Sequence, residues 1–307
     1  MKLDWKTKKK LKQMGLSYLF LAPAIVLLLI FTFYPIAYGV ILGFYDFNML
    51  RHDTDGHPAP PKWVGLDNFH RILKDPYFYI SLKNSLLYLI VVPIIQLAAI
   101  LMAILVNRNM KGVTWFRTAY YIPVVTSIVI VGIAWKWVLG SDGILNFFLV
   151  KKFHIFAKAI PWLTDSSLAL FSVMFVTLWQ GIGYYMVLYL AGLQTIPPEF
   201  EEAAKLDGAS PFTVFKDIIL PLLKPTVALC TIISCISALK VFGEIFVMTG
   251  GGPENGTLTM VYYIYNKAFN EFDMGYAAAL ALVLALFVGA ISFINIAFFK
   301  KGGLQYY

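Results

Sequence analysis

Lys240 and Glu244 stand four positions apart deep inside an apolar run. A charge held in a membrane core costs about 3 kcal/mol or more unless it faces water or a partner, so the two point to a lined pathway. At helical spacing they equally suit an ion pair with each other near the outer end of a span. Ser237 and Val241 lie on the same stripe. A second polar set, Thr177, Gln180, Gly181 and Tyr184, recurs at spacings of three and four and therefore shares one helical face. It offers a hydroxyl, an amide, a gap and an aromatic ring, and such groups also serve as polar glue between membrane helices. Other chemistry is thin. Arg51-His52-Asp53-Thr54-Asp55-Gly56-His57 matches no standard metal-ligand spacing and reads as a solvated loop. Cys230 and Cys235 suit small packing residues. No helix-borne zinc pair, nucleophile with its base, or Gly-Lys-Ser/Thr phosphate loop is present. The chain is therefore expected not to be an enzyme and to bind no cofactor or metal of its own.

The elements that must position these groups are apolar helices. Of 307 residues, 59% are hydrophobic and 14% charged, with mean hydropathy +0.72, so the bilayer is the expected solvent. Six runs approach the roughly 20 residues needed to cross it: 17–44, 78–106, 115–139, 168–193, 222–248 and 276–299. The expected fold is all-α, polytopic, with six transmembrane helices. Residues 1–16 read as a basic cytoplasmic N-terminus and 17–307 as the transmembrane domain. The first run is too long for a signal peptide and is expected to remain as an uncleaved span. With the N-terminus inside, fourteen Lys and Arg fall in or beside the inner segments and ten in or beside the outer ones, which orients both termini to the cytoplasm. The whole +8 net charge then lies on the inner side, facing anionic lipid and cytoplasmic partners rather than nucleic acid. Tyr120, Tyr121, Trp135, Trp137, Tyr262 and Tyr263 suit interface anchors or packing groups.

The inner connection 194–221 is longer than a turn requires. Pro197 and Pro198 suit a helix start, and Glu199, Glu201 and Glu202 favour its positive end. Gly208 then closes it, after Asp207, in the left-handed conformation available to glycine. Ser210-Pro211 starts a second helix with Phe212, Phe215 and Ile218 on its apolar side, and Leu220-Pro221 leads into the fifth span.

Here the chain resembles a known family. Glu202-Ala203-Ala204, Gly208, Ile218, Leu220 and Pro221 match the cytoplasmic signature of binding-protein-dependent ATP-binding-cassette importer permeases, whose loop docks on the ATPase. Trp63 to Phe69, Thr249 to Pro253 and Phe272 to Ala279 resemble the carbohydrate branch that includes the maltose and glycerol-3-phosphate systems. The likeness runs from about Leu19 onward, without the maltose-type partner's extra N-terminal spans and outer insertion. It implies a type I importer permease fold, a second permease subunit, an ATPase dimer carrying ATP and Mg, and an extracytoplasmic sugar-binding protein. It also implies ATPase coupling through Glu202, Ala203, Ala204, Asp207, Gly208, Leu220 and Pro221, and a cavity near the membrane midplane lined from the fourth and fifth spans. Thr177, Gln180, Gly181 and Tyr184 fall on its sugar-contacting stretch, where hydroxyls and an amide suit sugar hydroxyls. The competing expectation is an ion-coupled secondary transporter using Lys240 and Glu244 as a relay.

Overall fold

The computed structural model describes residues 5–52, 59–107 and 112–301. Asp53, Asp55 and His57 of the candidate metal loop, and Arg108 and Lys111 of the inner loop, lie outside them. Five helices are long and apolar enough to cross a membrane: Leu16–Leu42, Pro76–Val106, Ala169–Gln194, Lys224–Met248 and Met274–Lys300. The expected third span is not one straight helix. It consists of Val113–Val125 and Ile128–Val138, set at 97°, because Thr126 and Ser127 are both extended and Pro123 has no amide hydrogen to continue the ladder. Counted as one, the bent pair completes six spans.

The chain groups into two compact units. The first comprises Met1–Ile72 and Lys267–Leu282. The first span has no buried side chain in its apolar window; its outer surface is hydrocarbon suited to lipid or to another apolar helix. After it, Tyr45–Asp46 and Lys62–Trp63 form an antiparallel ribbon with Tyr45 opposite Trp63, followed by the short helix Asp67–Lys74. Asn68, 1% exposed, donates its amide to the carbonyls of Gly43 (3.0 Å) and Tyr45 (2.9 Å), tying that helix to the end of the span. Phe44 packs against Trp63 and Phe69. Arg71 pairs with Asp273 at 2.8 Å and lies 4.5 Å from the centre of the Tyr276 ring. A side chain at Gly275 would come 2.0 Å from the Tyr45 carbonyl. The stretches Trp63 to Phe69 and Phe272 to Ala279, separate motifs in the sequence, are thus two halves of one joint.

The second unit comprises Leu73–Asn266 and Val283–Tyr307. Its centre is the fourth span against the second. Close approach of the third-span pair to the fourth requires Gly183, where a Cβ would fall 2.0 Å from the Tyr120 carbonyl. Gln96, buried in the second span, donates to the Cys230 carbonyl (3.2 Å) and Ser234 Oγ (2.8 Å) and accepts from Tyr189 Oη (2.5 Å), joining three spans. A buried amide with both ends satisfied fixes register where apolar packing alone would let helices slide. The 249–260 loop, which includes Thr249 to Pro253, is fastened to the second span. Asn84 donates to the Asn255 and Leu258 carbonyls at 3.0 Å each, and Ser85 Oγ accepts from Met260 N at 2.9 Å. Cys230 and Cys235 are free and buried, as packing residues should be. Among the described residues no three metal-ligating groups cluster; Arg51 pairs instead with Asp46, and His52 Nδ1 meets the Leu50 carbonyl at 3.0 Å.

Candidate functional site

Within the second unit a cavity of about 580 Å³ opens between the second, fourth and fifth spans and the third-span bend. Thr177, Gln180, Gly181, Tyr184, Ser237, Lys240, Val241 and Glu244 all line it. The fourth span is an unbroken 26-residue helix, so its 177, 180, 181 and 184 positions keep the predicted face. The fifth span corrects the expectation. Its helix runs Lys224–Leu239, lapses over Lys240 to Phe242, and resumes at Gly243–Met248. Lys240 and Glu244 therefore do not share a helical stripe, and no ion pair between them is among those formed by the described residues.

Their partners differ. Glu244 accepts from Thr177 Oγ1 at 3.3 Å, and the same hydroxyl lies 2.5 Å from Tyr88 Oη. This places the carboxylate against the fourth span. Lys240 caps the Lys224–Leu239 helix with an exposed side chain. A cation at a helix C-terminus gains about 0.3–1 kcal/mol, less than the roughly 3 kcal/mol cost of a charge in a membrane interior, so the cap alone does not account for it. An unwound stretch exposes backbone groups and is tolerated at membrane depth where it borders a cavity. One of these groups, the Val241 carbonyl, accepts from Thr259 Oγ1 at 3.2 Å.

Gln180 serves both readings of its residue type. Its Nε2 donates to the carbonyls of Pro123 (3.2 Å) and Thr126 (3.1 Å), the groups exposed by the third-span bend. It is glue through its nitrogen while its side chain borders the cavity. Gly181 is close to Ile95, whose Cδ1 would meet an added Cβ at 2.7 Å, so the glycine makes room for the second span as much as for a ligand. Tyr184 is exposed and Tyr185 beside it buried, and both line the cavity. Sequence reasoning missed Tyr88, Gln96 and Tyr189. Gln96 carried a signal, being the lone amide in the helix Val91–Val106.

The 194–221 connection joins the two spans that supply most of this lining. Pro198–Leu206 is helical, and Gly208 takes φ 76°. Gly208 N donates to the Lys205 carbonyl (3.1 Å) and Ala209 N to that of Ala204 (2.9 Å), the paired bonds of a Schellman closure. Ser210 Oγ then accepts from Thr213 N at 3.2 Å, capping Pro211–Val214. Two expectations change. Ala204 is turned inward, leaving Ala203 and Glu202 on the open face with Asp207 and Gly208. The second helix passes into a wider turn, Phe215–Ile219, so Val214 and Ile219 are buried while Phe212 is 71% exposed. Leu206 is 89% exposed. Leu220 and Pro221 are exposed at the entry to the fifth span.

Residues 79–300 match the family described as binding-protein-dependent transport system inner membrane component. The lactose transport system permease protein LacF of Rhizobium radiobacter is 36% identical over 284 residues, covering 91% of this chain and 92% of that protein. The sn-glycerol-3-phosphate transport system permease protein UgpA of Agrobacterium fabrum is 31% identical over 291 residues, covering 93% and 95%. Among solved structures, a bacterial ABC transporter involved in the import of the acidic polysaccharide alginate aligns with a TM-score of 0.79. It is 24% identical, with 96% of this chain and 99% of that chain covered.

Proposed function

The chain belongs to the family of binding-protein-dependent transport system inner membrane components, a multi-pass membrane protein, and from that premise we propose that it is a permease subunit of an ATP-driven sugar importer. The observation that carries this reading is one of connectivity. A single 194–221 segment, with Leu206 and Phe212 bare on its surface, links the spans that wall the cavity. Large apolar side chains on a polar-rimmed turn fit a protein partner, and a push on the segment is delivered to both walls. The partner is an ATPase dimer bearing ATP and Mg; a second permease supplies the other half of the path, and an extracytoplasmic binding protein delivers the sugar. Both termini and the 194–221 segment lie on the cytoplasmic side. Glu202, Ala203, Asp207 and Gly208 form the coupling face, with Leu220 and Pro221 passing its displacement to the fifth span.

The sugar reading draws on the lactose and glycerol-3-phosphate permeases to which the chain is similar. It also draws on a cavity that mixes hydroxyl, amide and aromatic groups, which suits an oligosaccharide. An ion relay is less favoured, because Glu244 is engaged by Thr177 and Lys240 stands apart from it. The test places Ala203→Cys in the full complex in native membranes, cross-links, and identifies the captured chain by mass spectrometry. An ATP-binding-cassette subunit is expected; a folded, abundant permease that captures no ATPase at this position would sink the reading.

A further inference from the structure

We propose that the glycan carried by this permease is acidic, with Lys240 supplying the counter-charge for a carboxylate; this rests on the sugar-importer reading. Sixteen helical residues precede Lys240, about 24 Å at the rise of an α-helix, which places it in the outer part of the fifth span. It borders the cavity with an exposed side chain and is in none of the ion pairs formed by the described residues. The other charge bordering the cavity, Glu244, accepts from Thr177 Oγ1 at 3.3 Å and is directed to the fourth span. Helix-end stabilisation is small beside the cost of an unpaired charge within a span. A neutral sugar would need only donors and acceptors without charge, such as the Tyr184 and Ser237 hydroxyls that line the cavity. A lone ammonium facing a watery cavity is best used when an anion visits it and leaves.

The unwound backbone at Lys240 to Phe242 gives the same assignment a geometric basis. Lys240 follows the last turn of its helix, so its side chain is not stacked along a helical face. It can extend its ammonium into the cavity it borders. Tyr184 and Ser237 line the same cavity and offer a ring face and a hydroxyl to the sugar whose carboxylate Lys240 would meet.

The experiment uses the intact importer, all subunits with its binding protein, in proteoliposomes. Uptake is measured for trimers of galacturonate, glucuronate and mannuronate against maltotriose, xylotriose and galactotriose. The expected result is uptake of an acidic trimer, lowered about tenfold or more in kcat/KM by Lys240→Met, as for loss of a charged hydrogen bond, and largely retained by Lys240→Arg. Assembled complex, quantified after purification, distinguishes loss of contact from loss of folding. Uptake of a neutral trimer by the unaltered importer overturns the proposal, as does acidic uptake indifferent to Lys240→Met. If neither class is carried, the sugar reading itself falls, and this assignment with it.

Discussion

Replacing Gly208 probes coupling with the least disturbance of packing. Its φ of 76° is a conformation that costs an ordinary L-residue about 1–2 kcal/mol. No atom lies within 4 Å of where its Cβ would stand, so the cost is backbone strain and not a clash. The chain relieves strain by opening the two bonds that close the turn, Gly208 N to Lys205 O and Ala209 N to Ala204 O. Once these open, Pro198–Leu206 and Pro211–Val214 lose their fixed angle while the spans stay intact. With each 1.4 kcal/mol worth a factor of ten, Gly208→Ala should lower the docking-competent population roughly 5- to 30-fold. Gly208→Val, with its branched Cβ, should lower it further, and Gly208→Asn should keep most of it because asparagine tolerates the left-handed region. The assay is ATP-dependent uptake in proteoliposomes, normalised to assembled complex, with the melting midpoint of the purified complex as a control. Uptake should fall in the order Asn, Ala, Val with little change in the midpoint. Normal uptake by Gly208→Val would refute the idea that this turn transmits force.

Three further outcomes are expected. Gln180→Leu leaves the Pro123 and Thr126 carbonyls without the side chain that bridges them, a loss of about 1–2 kcal/mol at membrane values; a lower thermal midpoint in detergent, or its absence, decides the matter. Gly183→Val forces the third-span pair off the fourth span against the Tyr120 carbonyl and should give little extractable, monodisperse protein, whereas Gly39→Val, where an added Cβ meets nothing within 4 Å, should purify normally. Arg71→Ala removes the pairing with Asp273, which at an exposed site is worth up to about 1 kcal/mol. It should raise amide exchange at Asp273 to Ala277 while leaving exchange at Ala169–Gln194 unchanged.

Span positions, the helix-turn-helix form of 194–221 and the face shared by Thr177, Gln180, Gly181 and Tyr184 were legible because each rests on local periodicity or on a cap. What was not legible depends on neighbours. The 97° bend follows from two consecutive extended residues, Thr126 and Ser127, and the Pro123 and Thr126 carbonyls at the bend are met by Gln180, more than fifty positions away. The lapse at Lys240 to Phe242 is likewise stabilised through the Val241 carbonyl by Thr259. A run of apolar residues reads as one helix until such a partner is known, and so Lys240 and Glu244 looked like a pair. Ala204 differs from Ala203 for a related reason: two adjacent alanines are identical in composition, and only the packing of the helix decides which of them faces outward.

The joint that unites Asn68 and Arg71 with Asp273, Gly275 and Tyr276 has a bearing on biogenesis. Arg71 and Asp273 are 202 positions apart, so a chain being threaded into the bilayer from its N-terminus carries the first half of that joint long before the second is made. Until the sixth span arrives, the Tyr45 carbonyl lacks the backbone that packs on it and Arg71 lacks its acid. Closure of the joint is therefore a late event in synthesis, since neither Asp273 nor Gly275 exists until most of the chain has been made.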